Sequence, residues 1–250
     1  MNNKLFICKT VSWILAFGVW QAAAMIIDEQ ILLVSPLNVL RRLTTIWKED
    51  EFFATVANSF LHILSGFFGG LIIGIALAVI SGKFKILEYL LAPYMITVKT
   101  VPVASFIIIA LIWISSSELS SFISFLMVLP IVYTNVLHGI KNTDGKMLQM
   151  ADIFKLKWSE RMVYIWLPQI KPFLLTAVSV SLGLSWKSGI AAELIGLSEG
   201  SIGEALYLSK NYVNTLDTLT WAVILVIISV FFEKLVLFGL KKTFAGVFKL

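Results

Sequence analysis

Three ionisable side chains fall inside or against long apolar runs, where a charge is costly and therefore informative. Lys99 stands in the stretch MITVKTVPVASF, three residues before Pro102, while Lys187 and Glu193 flank one end of LSWKSGIAAELIG. A cation at Lys99 either faces a path for a solute, or pairs with a carboxylate, or reaches back to the membrane surface. Lys187 and Glu193 either pair with each other near the surface or contact a solute directly; Ser105 and Trp186 lie beside these groups. Catalytic arrangements are poor. The two histidines, His62 and His138, are far apart, and no Ser-His-Asp pattern, metal-ligand cluster or phosphate-binding glycine loop accompanies them. We therefore assign no catalytic residue and no metal ligand. The 15 acidic residues sit mostly at the ends of apolar runs, so the sequence offers no relay of buried carboxylates for proton-coupled work. Uphill movement of anything through this chain needs energy supplied by another subunit.

The elements that position these groups are membrane spans. The chain is 58% hydrophobic and 14% charged over 250 residues, against about 45–50% and about 25% in soluble domains. Its apolar runs are continuous rather than alternating, which predicts an all-α membrane protein and excludes a β-barrel. A span needs about 20 apolar residues, and the runs predict six, near 10–27, 57–81, 88–114, 120–139, 170–190 and 218–239. Lys4, Lys9, Lys83, Lys85, six basic residues within 141–171, and Lys241, Lys242 and Lys249 then share one side. By the positive-inside rule that side is cytoplasmic, with both termini. The net charge of +5 is thus a record of topology, not of nucleic-acid binding. The stretch SPLNVLRRLTTIWKEDEFF reads as a helix along the outer surface. Pro102 lacks a backbone donor and disfavours helical geometry at Val101, so the third span is expected to bend there. Gly66, Gly70, Gly74 and Ala78 repeat every four residues, a smooth ridge for close helix packing, within the protomer or between copies. Cys8 is the sole cysteine, so no internal disulfide forms. We expect one transmembrane domain over 1–250, with a core at 56–242 and an N-terminal span and surface helix over 1–55.

Between the fourth and fifth spans lies a polar interruption, KNTDGKMLQMADIFKLKWSERMVYIWLPQIK, too basic to enter lipid. Its Met147, Met150, Ala151, Phe154, Trp158, Met162 and Ile165 recur at three- and four-residue steps, which predicts one apolar stripe on a helix. Such a helix either rests on the membrane surface or docks in a partner.

Here the residues resemble a known family. Gln149-Met150-Ala151, then Lys155, then Ile165-Trp166-Leu167-Pro168 looks like the cytoplasmic signature of ABC-importer permeases: Glu-Ala-Ala, three residues, Gly, nine residues, Ile-x-Leu-Pro. The spacing is kept, but Gln149, Met150 and Lys155 replace the Glu, an Ala and the Gly, and Lys155 removes the residue that eases the turn. Ser59 with His62, Gly66-Phe67, Gly74 and Gly82 is similar to the second-span pattern of importers for nitrate, taurine and alkanesulfonates. So are Val34-Ser35-Pro36-x-x-Val39, Lys99-x-x-Pro102-x-x-Ser105, and Ala191-Ala192-Glu193-Leu194-Ile195-Gly196 followed by Gly200-Ser201-Ile202-Gly203. The similarity runs in family order from about residue 34 to 242.

The resemblance implies a type I ABC importer permease of the bacterial cytoplasmic (inner) membrane, with no ATPase site of its own. ATP and Mg would be held by a cytosolic ATP-binding subunit dimer, coupled through Gln149, Met150, Ala151, Phe154, Lys155, Trp158, Ile165, Leu167 and Pro168. A second permease copy or a paralogue would complete the path, and an extracytoplasmic substrate-binding protein would deliver a small organic solute, nitrate-, sulfonate- or taurine-like or vitamin-precursor-like. The candidate path residues are Lys99, Pro102, Ser105, Trp186, Lys187 and Glu193. A reading from another class is a membrane-embedded enzyme acting on a lipid or isoprenoid.

Overall fold

The computed structural model describes residues 2–247, excepting the side chains of residues 2–7, 9, 158 and 245–247. Among the described residues there are helices and no strands. Helix α1 (Asn2–Ile27) leads to a short surface helix α2 (Pro36–Leu43) and a 3-10 turn at Ile46–Lys48. Ser35 caps α2 by accepting from the Asn38 amide, and Pro36, which has no amide proton to lose, opens its first turn. The outer-surface stretch is thus two short pieces rather than one helix. Arg42 on α2 is held by Glu49 and, at 2.5 Å, by Asp217. The Asp217 hydrogen bond, with that of Glu49, raises the guanidinium pKa above its already high value.

Helix α3 (Phe52–Lys83) has 32 residues, about 48 Å, more than the roughly 30 Å of bilayer hydrocarbon. It runs parallel to α6 (Ser116–Lys141), and the reason is the small-residue ridge. A Cβ on Gly66 would lie 2.1 Å from the Ser121 carbonyl, one on Gly70 2.8 Å from Val128 Cβ, and one on Gly74 3.0 Å from Val132 Cβ. The ridge therefore serves packing within the protomer. Helix α9 (Leu167–Gly196) runs back along the other side of α6, with Gly139 against Phe173 and Ile170 at one end and Gly196 against Leu119 at the other. Helix α10 (Ile202–Asn211) is short, and α11 (Thr215–Val247) closes the bundle. Phe60 of α3, Trp186 of α9 and Phe232 of α11 meet with ring centroids 5.2–6.4 Å apart, which ties three spans together.

The third expected span does bend at Pro102, where its sequence places the bend, and only its bounds shift, with helical structure over 85–110 in place of 88–114. Its two parts are α4 (Lys85–Thr100) and α5 (Val103–Ala110), bent by 103°. Val101 is extended (φ −76°, ψ 135°) ahead of Pro102, as steric conflict with the proline ring demands. Among the described residues, five helices are long and apolar enough to cross a membrane, or six if the bent pair is one span. The fifth is also longer than expected, since helical structure runs over Ser159–Gly196.

These directions gather the charges. The ends of α3, α6 and α11 and the start of α9 lie together. There Lys141 pairs with Glu88 at 2.5 Å, and Lys171 stands over the Phe244 ring. This is the basic end. The opposite, acidic end carries the Arg42–Asp217 pair and the Thr215 hydroxyl bonded to the Ile31 carbonyl at 2.6 Å. Lys249 and the side chains of Lys4 and Lys9 lie outside the described residues.

Candidate functional site

At the basic end, the 141–171 segment folds as α7 (Gly145–Ile153), α8 (Trp158–Arg161) and a π-helical turn (Met162–Trp166) leading into α9. Asp144 caps α7 by accepting from the Lys146 amide at 2.9 Å, and its own amide donates to Gln169 at 2.8 Å. The helix then stops abruptly. Phe154 donates to the Met150 carbonyl, Leu156 donates to the Ala151 carbonyl at 3.0 Å, and Lys155 takes φ +51°. This is the Schellman arrangement, with a lysine at the left-handed position that glycine usually fills. Arg161 closes the turn by donating to Asp152 at 2.6 Å and to the Leu156 carbonyl at 3.0 Å.

The single continuous stripe is therefore corrected. The turn at Lys155 splits it, and its members face two ways. Ala151 (0% exposed) and Ile165 (3%) pack into the protein, whereas Met150 (47%) and Phe154 (70%) face outward with Met147 and Ile153. Ile153 is the most exposed of these, and three-residue counting from Met150 could have found it. Gln149 and Lys155 are exposed, and Leu167 and Pro168 are half-buried at the start of α9. The side chain of Trp158 lies outside the described residues.

The second group surrounds the break at Pro102. Lys99 is exposed and donates to Thr134 Oγ1 at 3.1 Å; among the described residues it makes no ion pair. Pro102 and Ser105 are exposed beside it, with the Ser105 amide on the Pro102 carbonyl at 3.0 Å. Lys187 is also exposed, but it does not pair with Glu193, because residues six apart on a helix point to different faces. Glu193 is 1% exposed and accepts from Ser59 Oγ at 2.7 Å and from the Gly203 amide at 3.1 Å. Trp186, at 2% exposed, belongs to the aromatic core with Phe60 and Phe232. Trp186 and Glu193 thus lie inside this chain's own core, not on an open wall. A further intramembrane carboxylate escaped the sequence reading: Glu233 of α11 accepts from Ser179 at 2.6 Å. Its position within an apolar run was the available signal.

Fold and surfaces together define a multi-pass helical membrane protein with an outward-facing amphipathic helix at its basic end. The chain belongs to the family of binding-protein-dependent transport system inner membrane components, whose model matches residues 70–245. It is 29% identical over 228 residues to the putative aliphatic sulfonates transport permease protein SsuC of Escherichia coli, covering 89% of this chain and 86% of that protein. It is 26% identical over 170 residues to the Bacillus subtilis protein of the same description, covering 67% of this chain but only 61% of that one. The taurine transport system permease protein TauC of Escherichia coli is 24% identical over 187 residues, 72% of this chain and 68% of TauC. The family is a transport component, so the reading as a lipid- or isoprenoid-modifying enzyme is set aside.

Proposed function

We propose that this chain is the transmembrane permease subunit of an ATP-driven importer for a small organic anion, with sulfonates and taurine as the first candidates. The observation that carries the reading is the helix α7 surface. A helix at the basic end presents Met147, Met150, Ile153 and Phe154 outward, with its start held by Gln169 of α9 and its closing turn by Arg161 of α8. Apolar side chains on a rigidly held helix suit a socket in a partner, and methionines adapt well to such sockets. The partner is a cytosolic ATP-binding subunit dimer that holds ATP and Mg, and its closure drives the bundle through α7 as a rigid body.

The basic end is then cytoplasmic, as are the N- and C-termini. Residues 1–250 act as one membrane domain, with the transport core at 56–242. A second copy or a paralogue joins it to enclose the path, and an extracytoplasmic binding protein feeds the acidic end. Lys99, with Pro102 and Ser105, faces that path. A cation at this depth without a carboxylate partner is tolerable against water, not against lipid tails, and it attracts an anionic solute.

The test is uptake of labelled alkanesulfonate and taurine by cells that lack the chain and by the same cells with it restored. The reading expects uptake of at least one to disappear and return. Uptake of both that is indifferent to the chain contradicts it.

A further inference from the structure

A cavity of about 470 Å³ opens at the basic end between α3, α6 and the π-helical turn before α9, a volume within the roughly 300–1,000 Å³ range of ligand sites. Val79 and Gly82 of α3 form one wall, Ile140 of α6 the floor, and Met162 and Trp166 the facing wall. The π-helical turn, with its extra residue per turn, is of the kind that recurs at functional sites, and both Met162 and Trp166 belong to it. Lys83 is the one charged residue in the lining, and all the rest is apolar.

Lys83 is exposed in the last turn of α3 and makes no ion pair among the described residues; its ammonium stands 5.5 Å from the centre of the Phe84 ring. The neighbouring carboxylate Glu88 is already engaged by Lys141 at 2.5 Å. Val79 lies one turn deeper than Lys83, about 6 Å along α3. Beyond it Ile72 and Phe68, seven and eleven residues back on the same face of α3, continue an exposed apolar track toward mid-membrane. A cation at the membrane boundary, an apolar chamber one turn below it and an apolar track leading away match the order of parts in a phospholipid.

We propose that this cavity binds an anionic phospholipid, its phosphate on Lys83 and the upper part of one acyl chain against Val79, Ile140 and Trp166. Basic pockets between helices at the cytoplasmic boundary take such headgroups, and the absence of any acid from the lining favours an anionic lipid over a zwitterionic one. The site is independent of the path at Lys99 and of the cargo.

The test is native mass spectrometry of the full chain, purified in mild detergent and titrated with dioleoyl phosphatidylglycerol or dioleoyl phosphatidylcholine. The first should be retained preferentially. Lys83→Gln should weaken its retention about fivefold, the usual contribution of one lysine to an anionic surface. Val79→Trp, which fills the chamber, should abolish retention of either lipid at this site. Lys83→Glu, at an exposed position, carries the test if the tryptophan variant does not accumulate. Equal retention of both lipids, or retention unchanged by the Lys83 variants, overturns the proposal and leaves the cavity to a protein partner. Binding of soluble glycerol phosphate as tight as that of the lipid overturns it too.

Discussion

Ser59 and Glu193, 134 residues apart, share a hydrogen bond of 2.7 Å in the core, and together they seat the start of α10. Ser59 Oγ donates to the carboxylate and accepts from the Ile202 amide at 2.8 Å, while Glu193 also accepts from the Gly203 amide. Gly203 is required by this arrangement, because a Cβ there would lie 2.3 Å from Glu193 Cβ. Ser59→Ala leaves a buried carboxylate and a buried amide each short of a partner, which costs about 1–3 kcal/mol for an unsatisfied group. Thermal unfolding in detergent should show a lowered midpoint for Ser59→Ala. An unchanged midpoint contradicts the assignment.

The parallel packing of α3 on α6 rests on the missing side chain at Gly66. Gly66→Ala drives a methyl against the Ser121 carbonyl, which backbone alone can relieve. Overpacking of this kind costs about 1–3 kcal/mol. Gly183→Ala, inside α9 with nothing within 4 Å of its Cβ, is the matched control and should unfold no lower than the parent chain. Equal effects of the two substitutions count against ridge packing.

Lys155 occupies a left-handed conformation at φ +51°. Such a conformation costs an ordinary L-residue roughly 1–2 kcal/mol that glycine does not incur. Lys155→Gly should therefore stabilise the turn after α7, and Lys155→Val, which is β-branched, should destabilise it. Amide hydrogen exchange over residues 150–157 reads this directly: slower with glycine, faster with valine.

Loss of the charge at Lys99 should weaken the attraction of the proposed path for its anion. We expect Lys99→Gln to reduce uptake about tenfold or more, as for one hydrogen bond to a charged group. Lys99→Arg should keep most of it. Both variants should reach the membrane in normal amount, since the residue is exposed and bonds only to Thr134 among the described groups. Uptake by Lys99→Gln at the parental rate removes Lys99 from the path.

Much of this architecture was legible in the residues, because lipid leaves helices few alternatives. Continuous apolar runs marked the long spans, and Pro102 marked the break in the third. The four-residue glycine repeat announced close packing but not its partner, since small residues carry no label for what lies against them. Two other features were hidden for a physical reason. The turn at Lys155 depends on backbone bonds from Phe154 and Leu156 rather than on side-chain type, so a periodic stripe ran straight through it on paper. Glu193 read as a surface partner for Lys187 because its true partners, Ser59 and Gly203, come from other helices. Long-range pairing of this kind leaves no trace in local spacing.

The central claim is that α7 carries the coupling to an ATP-binding subunit, and co-purification from gently solubilised native membranes tests it most directly. The two most exposed apolar side chains of that surface, Ile153 and Phe154, are replaced together by aspartate. Neither packs in the core, so the variant should insert and fold as the parent does. We predict that the parent chain brings down a cytosolic ATP-binding subunit and that the Ile153→Asp, Phe154→Asp variant does not. Recovery of the same subunit in the same amount with both chains would contradict the account.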